Sequence, residues 1–260
     1  MAITTLNGII AAIKRRVIFI KASGTSVAYI PFSVFDLAGT PGVGTLAVGN
    51  TANGIVPTDA IAGYPTLATA AATLYINRII ARSSVACHID LYDTLFSCGA
   101  YVFNADVTLA SQPSYASRLP NTDYSNLELF TEAATAFTGN QTLQINYLDQ
   151  DGNAGDTGAI ATGIAPVIRR MYQVPLASGD SGVQQITRVR SSVSTVGTFN
   201  VHVMRWLWGC RIGAAYGGVS ESLLKTGLSQ IYDTSALRLV ITADSTASGI
   251  PSVRMETVDG

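Results

Sequence analysis

Short strand-forming runs, each closed by a turn sequence, recur along almost the whole chain and constrain its fold more than any other feature. In the clearest run, over residues 143–149, apolar side chains alternate with Gln144 and Asn146, the period of a strand with one buried face. Turn pairs such as Gly139-Asn140 separate the runs. We expect strands over residues 27–35, 74–81, 86–92, 101–109, 127–137, 143–149, 158–162, 171–176, 185–193, 199–208, 237–243 and 253–258. Many short strands of this kind predict a mostly β fold, a jelly-roll-like β-sandwich.

The N-terminal segment departs from this pattern. Leu6, Ile9 and Ile13 fall on one face at helical spacing, so residues 4–16 are predicted to be a helix, which Thr4 or Thr5 can cap. A short amphipathic helix is only marginally stable alone in water. We therefore predict that residues 1–20 form a helical arm, whose apolar face is an interface with the fold or with a neighbouring chain.

The remaining residues, 21–260, are predicted to be a single β-sandwich domain. Residues 38–72 are rich in Gly, Ala, Thr and Pro and show little periodicity, which is typical of a long loop that lies on a neighbour or across the sandwich. Residues 220–230 are predicted to hold one further helix.

The run at 199–208 is apolar on both faces, with Met204, Trp206 and Trp208 on one of them. Either it is a central strand between two layers, or its outer face meets another chain. Tryptophan is enriched at the anchors of protein interfaces, so Trp206 and Trp208 are candidate interface residues.

Charged residues make up only 13% of the chain, about half the usual share. The surface of such a chain has a low density of charged side chains, and low surface charge promotes association. No apolar run reaches the roughly 18 residues of a membrane helix, so we expect the surface to meet protein. Few ion pairs are available, so we expect this adhesion to depend weakly on salt.

The net charge of −1 and the absence of a basic block argue against nucleic acid. The one basic run, Lys14-Arg15-Arg16, is interpreted as the solvated end of the predicted helix.

The segment 179–182 resembles a catalytic motif. Gly179-Asp180-Ser181-Gly182 resembles the nucleophile motif of chymotrypsin-like serine proteases, which pair the serine with a histidine base such as His88. Val183 stands where that family has another glycine, and no proline follows. A polar turn is the better interpretation, and we expect no catalytic residues and no enzyme activity.

The acidic stretch 149–156 resembles a calcium loop, because Asp149, Asp151 and Asn153 alternate. Its flanks are predicted strands, and position twelve is Ile160 rather than glutamate. A hairpin tip is the preferred interpretation, with cation binding left open.

Metal and cofactor sites are not expected. The two histidines, His88 and His202, and the cysteines Cys87, Cys98 and Cys210 lack the spacing of a zinc site or a disulfide framework. The glycine-rich run at 39–44 lacks the Gly-Lys-Ser/Thr of a phosphate loop.

Several segments carry a family resemblance: 10–17, 32–46, 56–60, 84–87, 91–96, 112–120, 136–141, 147–152, 178–183 and 197–201. In these the chain resembles structural proteins of tailed-bacteriophage virions, of the capsid decoration or cement type. The resemblance implies a particle component without active-site residues, located in the virion and assembled in the host bacterial cytoplasm.

The function predicted from these observations is a non-enzymatic virion structural protein, most simply a decoration or cement protein that stabilises the phage head. A tail, baseplate or neck component is the alternative. A β-sandwich carbohydrate-binding module or hydrolase comes third, and a sugar binder would show exposed aromatic rings above a groove. The expected partners are the major capsid protein or other virion proteins, with the chain itself a homo-oligomer, a trimer by expectation, and with no nucleic acid and no membrane.

Overall fold

The computed structural model describes residues 5–67, 71, 73–163, 166–193 and 195–260. Strands make up 49% and helices 6% of the described residues, the helices including two short 3-10 turns at Ala116–Arg118 and Pro120–Thr122, so the predicted mostly β fold is confirmed. In chain order the helices and strands are α1 (Leu6–Ala11), β1 (Lys14–Lys21), β2 (Pro31–Ser33), β3 (Gly39–Thr40), β4 (Asn50–Ile55), β5 (Thr73–Arg82), β6 (Cys87–Val102), β7 (Asp106–Thr108), β8 (Leu127–Thr135), β9 (Thr142–Leu148), β10 (Ala154–Asp156), β11 (Ile160–Ala161), β12 (Met171–Val174), β13 (Gln185–Ser191), β14 (Thr198–Ile212), β15 (Gly218–Glu221), α2 (Leu223–Thr226), β16 (Gln230–Tyr232), β17 (Leu237–Ala243) and β18 (Ser252–Asp259).

The strands form three sheets, and every strand pair within the described residues is antiparallel. The central sheet has the order β12-β8-β14-β6-β17-β2, with β4 beside β6. The terminal sheet, named for its first and last strands, has the order β15-β5-β18-β1-β3, with β16 beside β5. The hairpin sheet has the order β10-β9-β13-β7, with β11 beside β9.

Two long strands of the central sheet run through both halves of the molecule. β6 has 16 residues and β14 has 15, and they pair from Cys87 to Val102. At one end of these strands Leu91 and Trp208 pack against the terminal sheet in a first apolar core. At the other end Val201 packs against the hairpin sheet in a second core. The run at 199–208 is therefore a central strand, one of its two predicted alternatives.

The other face of the central sheet curls over an interior of its own. Its two edges meet where Phe32 of β2 forms a bridge with Arg170, the residue before β12. The amide of Ser33 donates to the carbonyl of Arg169 at 2.8 Å beside this bridge. Apolar side chains in the enclosed space are Tyr92, Phe130, Met171, Met204 and Val240.

The segment 34–67 folds back over this interior. Phe35 and Tyr64 stack with ring centroids 4.6 Å apart and pack on Ala134 and Ala236 of the sheet region. A Cβ on Gly44 would lie 2.3 Å from the Phe35 ring, so the glycine-rich run serves close packing.

The first part of the segment 34–67 is held by hydrogen bonds to the buried side chain of Lys21. The ammonium group of Lys21 shares its three N–H donors among four carbonyl oxygens at 2.8–3.3 Å, those of Phe35, Leu37, Pro41 and Gly42. Burial lowers the pKa of Lys21 to about 8. Residues 68–70 and 72 of the predicted loop at 38–72 lie outside the described residues.

Several predicted boundaries differ from those of the structure, and the predicted loop at 38–72 contains the strands β3 and β4. The predicted helix at 4–16 is the six-residue α1, capped by Thr5, and Lys14 to Arg16 belong to β1 because they pair with β18. The predicted strands at 86–92 and 101–109 are the single strand β6 followed by β7. The helix expected within 220–230 is the four-residue α2, which ends where Gly227 takes a left-handed conformation at φ 61°. Thr4 lies outside the described residues.

Candidate functional site

A polar network lies inside the curled central sheet. It joins Ser97 of β6, Glu132 of β8, His202 of β14 and Arg238 of β17. Ser97 Oγ lies 2.7 Å from His202 Nδ1, and His202 Nε2 lies 3.0 Å from Glu132 Oε2. Arg238 Nη1 donates to the same carboxylate oxygen at 3.1 Å. Four neighbouring strands of the sheet each contribute one member.

The position of the protons follows from what each group can donate. An ionised carboxylate only accepts, so His202 Nε2 carries a proton toward Glu132, and Nδ1 accepts from the Ser97 hydroxyl. Burial and the nearby charge of Arg238 lower the pKa of His202, which favours the neutral ring. Burial acts to raise the pKa of Glu132, but the charge of Arg238 and the hydrogen bond from His202 outweigh it and hold that pKa at about 2.

This order of groups is that of a serine hydrolase relay, from hydroxyl to imidazole to carboxylate. The relative exposure is 0% for Glu132 and His202 and 2% for Ser97. A substrate carbonyl therefore has no path to the Ser97 hydroxyl in this structure. The network joins four strands of the central sheet through charge-assisted hydrogen bonds.

Sequence reasoning missed this network because its members are far apart in the chain. The available signal was a charged residue at a buried position of a mostly apolar strand, as with Glu132 in β8 and Arg238 in β17. A buried charge needs a partner, so such residues point to one another even without a motif.

A second buried ionic cluster lies where the two apolar cores meet. Asp93 forms an ion pair with Arg118, lies 3.6 Å from Arg205, and accepts from the Ser235 hydroxyl at 2.7 Å and the Ala236 amide at 3.0 Å. Its carboxylate is thus fully occupied by structural partners.

The protease-like residues are not brought together. Ser181 lies on the loop where its amide donates to Gln150, next to the hairpin sheet. His88 lies on β6 in register with Arg211, at the end covered by the terminal sheet, and contacts Asp90 at 3.1 Å. The two residues belong to opposite halves of the molecule.

The three cysteines lie in the apolar cores, Cys87 and Cys210 in the first and Cys98 in the second. Cys87, Cys98 and Cys210 are buried free thiols. Burial raises the pKa of Cys98 and of Cys210 to about 12, so both stay protonated. No cluster of three or more His, Cys, Asp or Glu side chains suited to a metal was found in the part of the chain that the structure describes.

The acidic stretch 149–156 forms the β9–β10 turn. Asp149 accepts from the amides of Asp151 and Asn153, both at 2.8 Å. Burial acts to raise the pKa of Asp149, but these hydrogen bonds outweigh it and lower that pKa. Asp156 accepts from Gln144 and from Asn146. The carboxylates are thus used within the hairpin.

The predicted interface residues divide into exposed and buried ones. Leu6 and Ile13 are each 62% exposed around α1, whereas Ile9 is buried against the fold. Trp206 is 49% exposed and donates to Asp90 at 3.1 Å. Trp208 lies in the first core with its indole donating to Glu221 at 2.7 Å, so it is a core residue and offers no surface to a partner.

A cleft of about 560 Å³ lies between β1 and residues 59–66. Its one aromatic side chain is Tyr64, which is buried against Phe35 and Arg238. Asp59 in the same cleft accepts from the Leu67 amide at 2.8 Å. The cleft therefore lacks the exposed aromatic ring that a sugar binder requires.

Among the described residues, no helix is long and apolar enough to cross a membrane.

Comparison with known proteins gives little. No family model and no curated protein matches the chain. Among solved structures the chain is similar to PirA, at 13% identity over 31% of this chain and 69% of that one, with a TM-score of 0.19. It is similar to a structure of infectious bursal disease virus, Gt strain, at 8% identity over 95% and 81% of the two chains, with a TM-score of 0.21. The unassembled KI polyomavirus VP1 pentamer matches at 11% identity over 95% and 97%, with a TM-score of 0.21. Scores of this size carry no argument about fold or function.

Proposed function

We propose that this chain is a non-enzymatic structural protein of a virus particle and works by packing against other protein chains. The observation that carries the proposal is the apolar surface around α1. Leu6, Ile10 and Ile13 are 62%, 63% and 62% exposed. Three large aliphatic side chains exposed within eight residues are typical of a surface that a partner covers. The low charge of the chain supports the same conclusion.

The absence of enzyme activity is part of the proposal. The one hydroxyl–imidazole–carboxylate row in the described residues is sealed in the interior of the central sheet. Ser181, the serine of the protease-like motif, is exposed. Its amide donates to Gln150, whereas His88 contacts Asp90, so the serine and this histidine belong to separate hydrogen-bonded groups. These positions favour a structural use of the polar residues over catalysis.

Within the particle, we propose a decoration or cement role on a bacteriophage head, with a tail, baseplate or neck position as the second candidate. Quantitative mass spectrometry of purified particles separates the two. Copy numbers on the order of hundreds per particle support the head, and tens or fewer support tail or neck. Absence of the chain from purified particles refutes the proposal.

A further inference from the structure

The solvent side of the terminal sheet carries four exposed arginines: Arg16 on β1, Arg78 and Arg82 on β5, and Arg254 on β18. The strand register sets them side by side, because Glu256 pairs with Arg16 on one side and with Arg78 on the other. We call this surface the arginine face.

These arginines differ from most of the others in having no ion pair among the described residues. The chain has thirteen arginines, since sixteen basic residues include three lysines. Eight of the thirteen lie within 4.0 Å of a carboxylate oxygen. Of the five without an ion pair in the described residues, four are the arginines of this face, and the fifth is Arg170.

The face is therefore a local concentration of positive charge. Four arginines and Glu256 sum to +3, in a chain whose formal net charge is −1, so the remaining residues sum to −4. Glu256 itself accepts from the Asn77 amide at 2.7 Å. Within the described residues, none of the four arginines has a carboxylate oxygen within 4.0 Å.

Isoleucines fill the spaces between the arginines. Arg254 pairs with Ile18 on one side and Ile80 on the other, and Ile20 follows on β1. Ile18 and Ile20 are 37% and 40% exposed. A hollow of about 230 Å³ opens among these side chains. Arginine combined with apolar side chains is the composition enriched at protein interfaces, whereas lysine is depleted there.

We propose that the arginine face binds a carboxylate-rich surface of another protein chain. The guanidinium groups form forked ion pairs with its Asp and Glu side chains, and Ile18 and Ile80 contact its apolar residues. The exposed isoleucines favour protein over nucleic acid, whose phosphates would use the charge alone. Placing this partner in a virus particle rests on the proposed function, whereas the binding itself does not.

This inference revises the expected salt dependence. The charges are few in number but gathered on one face, so binding through it weakens as salt screens the ion pairs. The low charge content of the whole sequence hides this local concentration.

The test measures binding of two fluorescent peptides of equal charge to the full chain by anisotropy. One repeats glutamate-glutamate-leucine-serine and the other glutamate-glutamate-serine-serine, and a single-stranded DNA of equal charge is the third probe. The leucine peptide should bind severalfold tighter than the serine peptide, and both tighter than the DNA. Raising NaCl from about 0.1 to 1 M, where the Debye length falls from about 10 to 3 Å, should release both peptides.

The double change Arg78→Gln with Arg254→Gln should weaken peptide binding about tenfold, since each exposed pair contributes modestly. The control Arg188→Gln with Lys225→Gln removes the same charge from exposed sites elsewhere and should change binding less than about twofold. The replaced guanidiniums are exposed and without ion pairs, and Arg78 loses only an exposed hydrogen bond to Ser220 Oγ at 3.2 Å, so the melting temperature should change little.

An equal loss in both double variants would mean that net charge alone drives binding, and the proposal would be wrong. Tighter binding of the DNA, lost with Arg78 and Arg254, would assign the face to nucleic acid and overturn it as well. Absence of peptide binding to the unchanged chain would also refute it. Each result is independent of whether the chain is found in particles, so the proposed function and this proposal can fail separately.

Discussion

Replacing Glu132 by glutamine tests the buried network most directly. The change keeps the shape of the side chain but removes the charge that faces Arg238 at 3.1 Å and His202 at 3.0 Å. Arg238 is only 3% exposed, so without the Glu132 charge it becomes a buried cation that has lost its ion-pair partner. Removing one partner of a buried pair costs about 3–5 kcal/mol. At about 2–4 °C per kcal/mol for a chain of this size, the melting temperature should fall by roughly 6–20 °C.

The assay is urea unfolding followed by tryptophan fluorescence, with a thermal melt as a second measure. The control is Asp106→Asn, which breaks the exposed ion pair with Arg188 and should cost less than about 1 kcal/mol. The double change Glu132→Gln with Arg238→Met removes both charges and should recover more than half of the lost stability. A loss below about 1 kcal/mol for Glu132→Gln alone would refute an ionised, desolvated pair.

Three further predictions follow. The pKa of Glu132 lies at about 2, below its ordinary 4.5, and that of His202 lies below its ordinary 6.5, so the unfolded chain binds more protons. Stability measured by urea midpoints should therefore be full above about pH 6.5 and decline as the pH falls toward 2, less steeply in Glu132→Gln. Changing Leu6, Ile10 and Ile13 together to serine should leave the melting temperature within about 2 °C, because these side chains are exposed, yet weaken incorporation into particles measured by gel densitometry; a large loss of stability instead would show that they pack on the fold. A fluorophosphonate probe should label neither Ser97 nor Ser181 in folded protein, and labelling of either, located by peptide mass spectrometry, would contradict the non-enzymatic proposal.

Local sequence pattern predicted two kinds of strand. β9 shows the expected alternation, with Leu143, Ile145 and Tyr147 buried between half-buried neighbours, so the side-chain pattern itself carries the period of the strand. β17 spans the predicted residues 237–243 without a shift, and it is buried on both faces as a mostly apolar run.

Where long-range strand pairing determines the backbone conformation, the prediction from local sequence was wrong. Ile13 and Lys14 continue a helical spacing, yet Lys14 pairs with Val258, and the backbone follows the sheet instead. Tertiary context overrides a weak local preference, since helix propensity differs by less than about 1 kcal/mol between most residues.

The sequence analysis did not predict the polar network or the arginine face, and the reason is the same for both. Both are sets of residues from three or four strands that only the register brings together. Glu132 and Arg238 are 106 positions apart in the chain. No spacing within one sequence records such a neighbourhood.

The pairing of β1 with β18 has a consequence for how the chain is made. Val17 and Phe19 are synthesised more than 230 residues before their strand neighbours Met255 and Val253. At about 5–20 residues per second, the apolar side of β1 waits roughly 10–50 s for the strand that completes its sheet. The first core includes Val253 and Met255, so it can close only once these residues have been made, and a nascent or truncated chain that lacks them exposes aliphatic surface. Slower translation lengthens that exposure, so the yield of soluble protein should depend on chaperone supply more than the stability of the finished fold suggests.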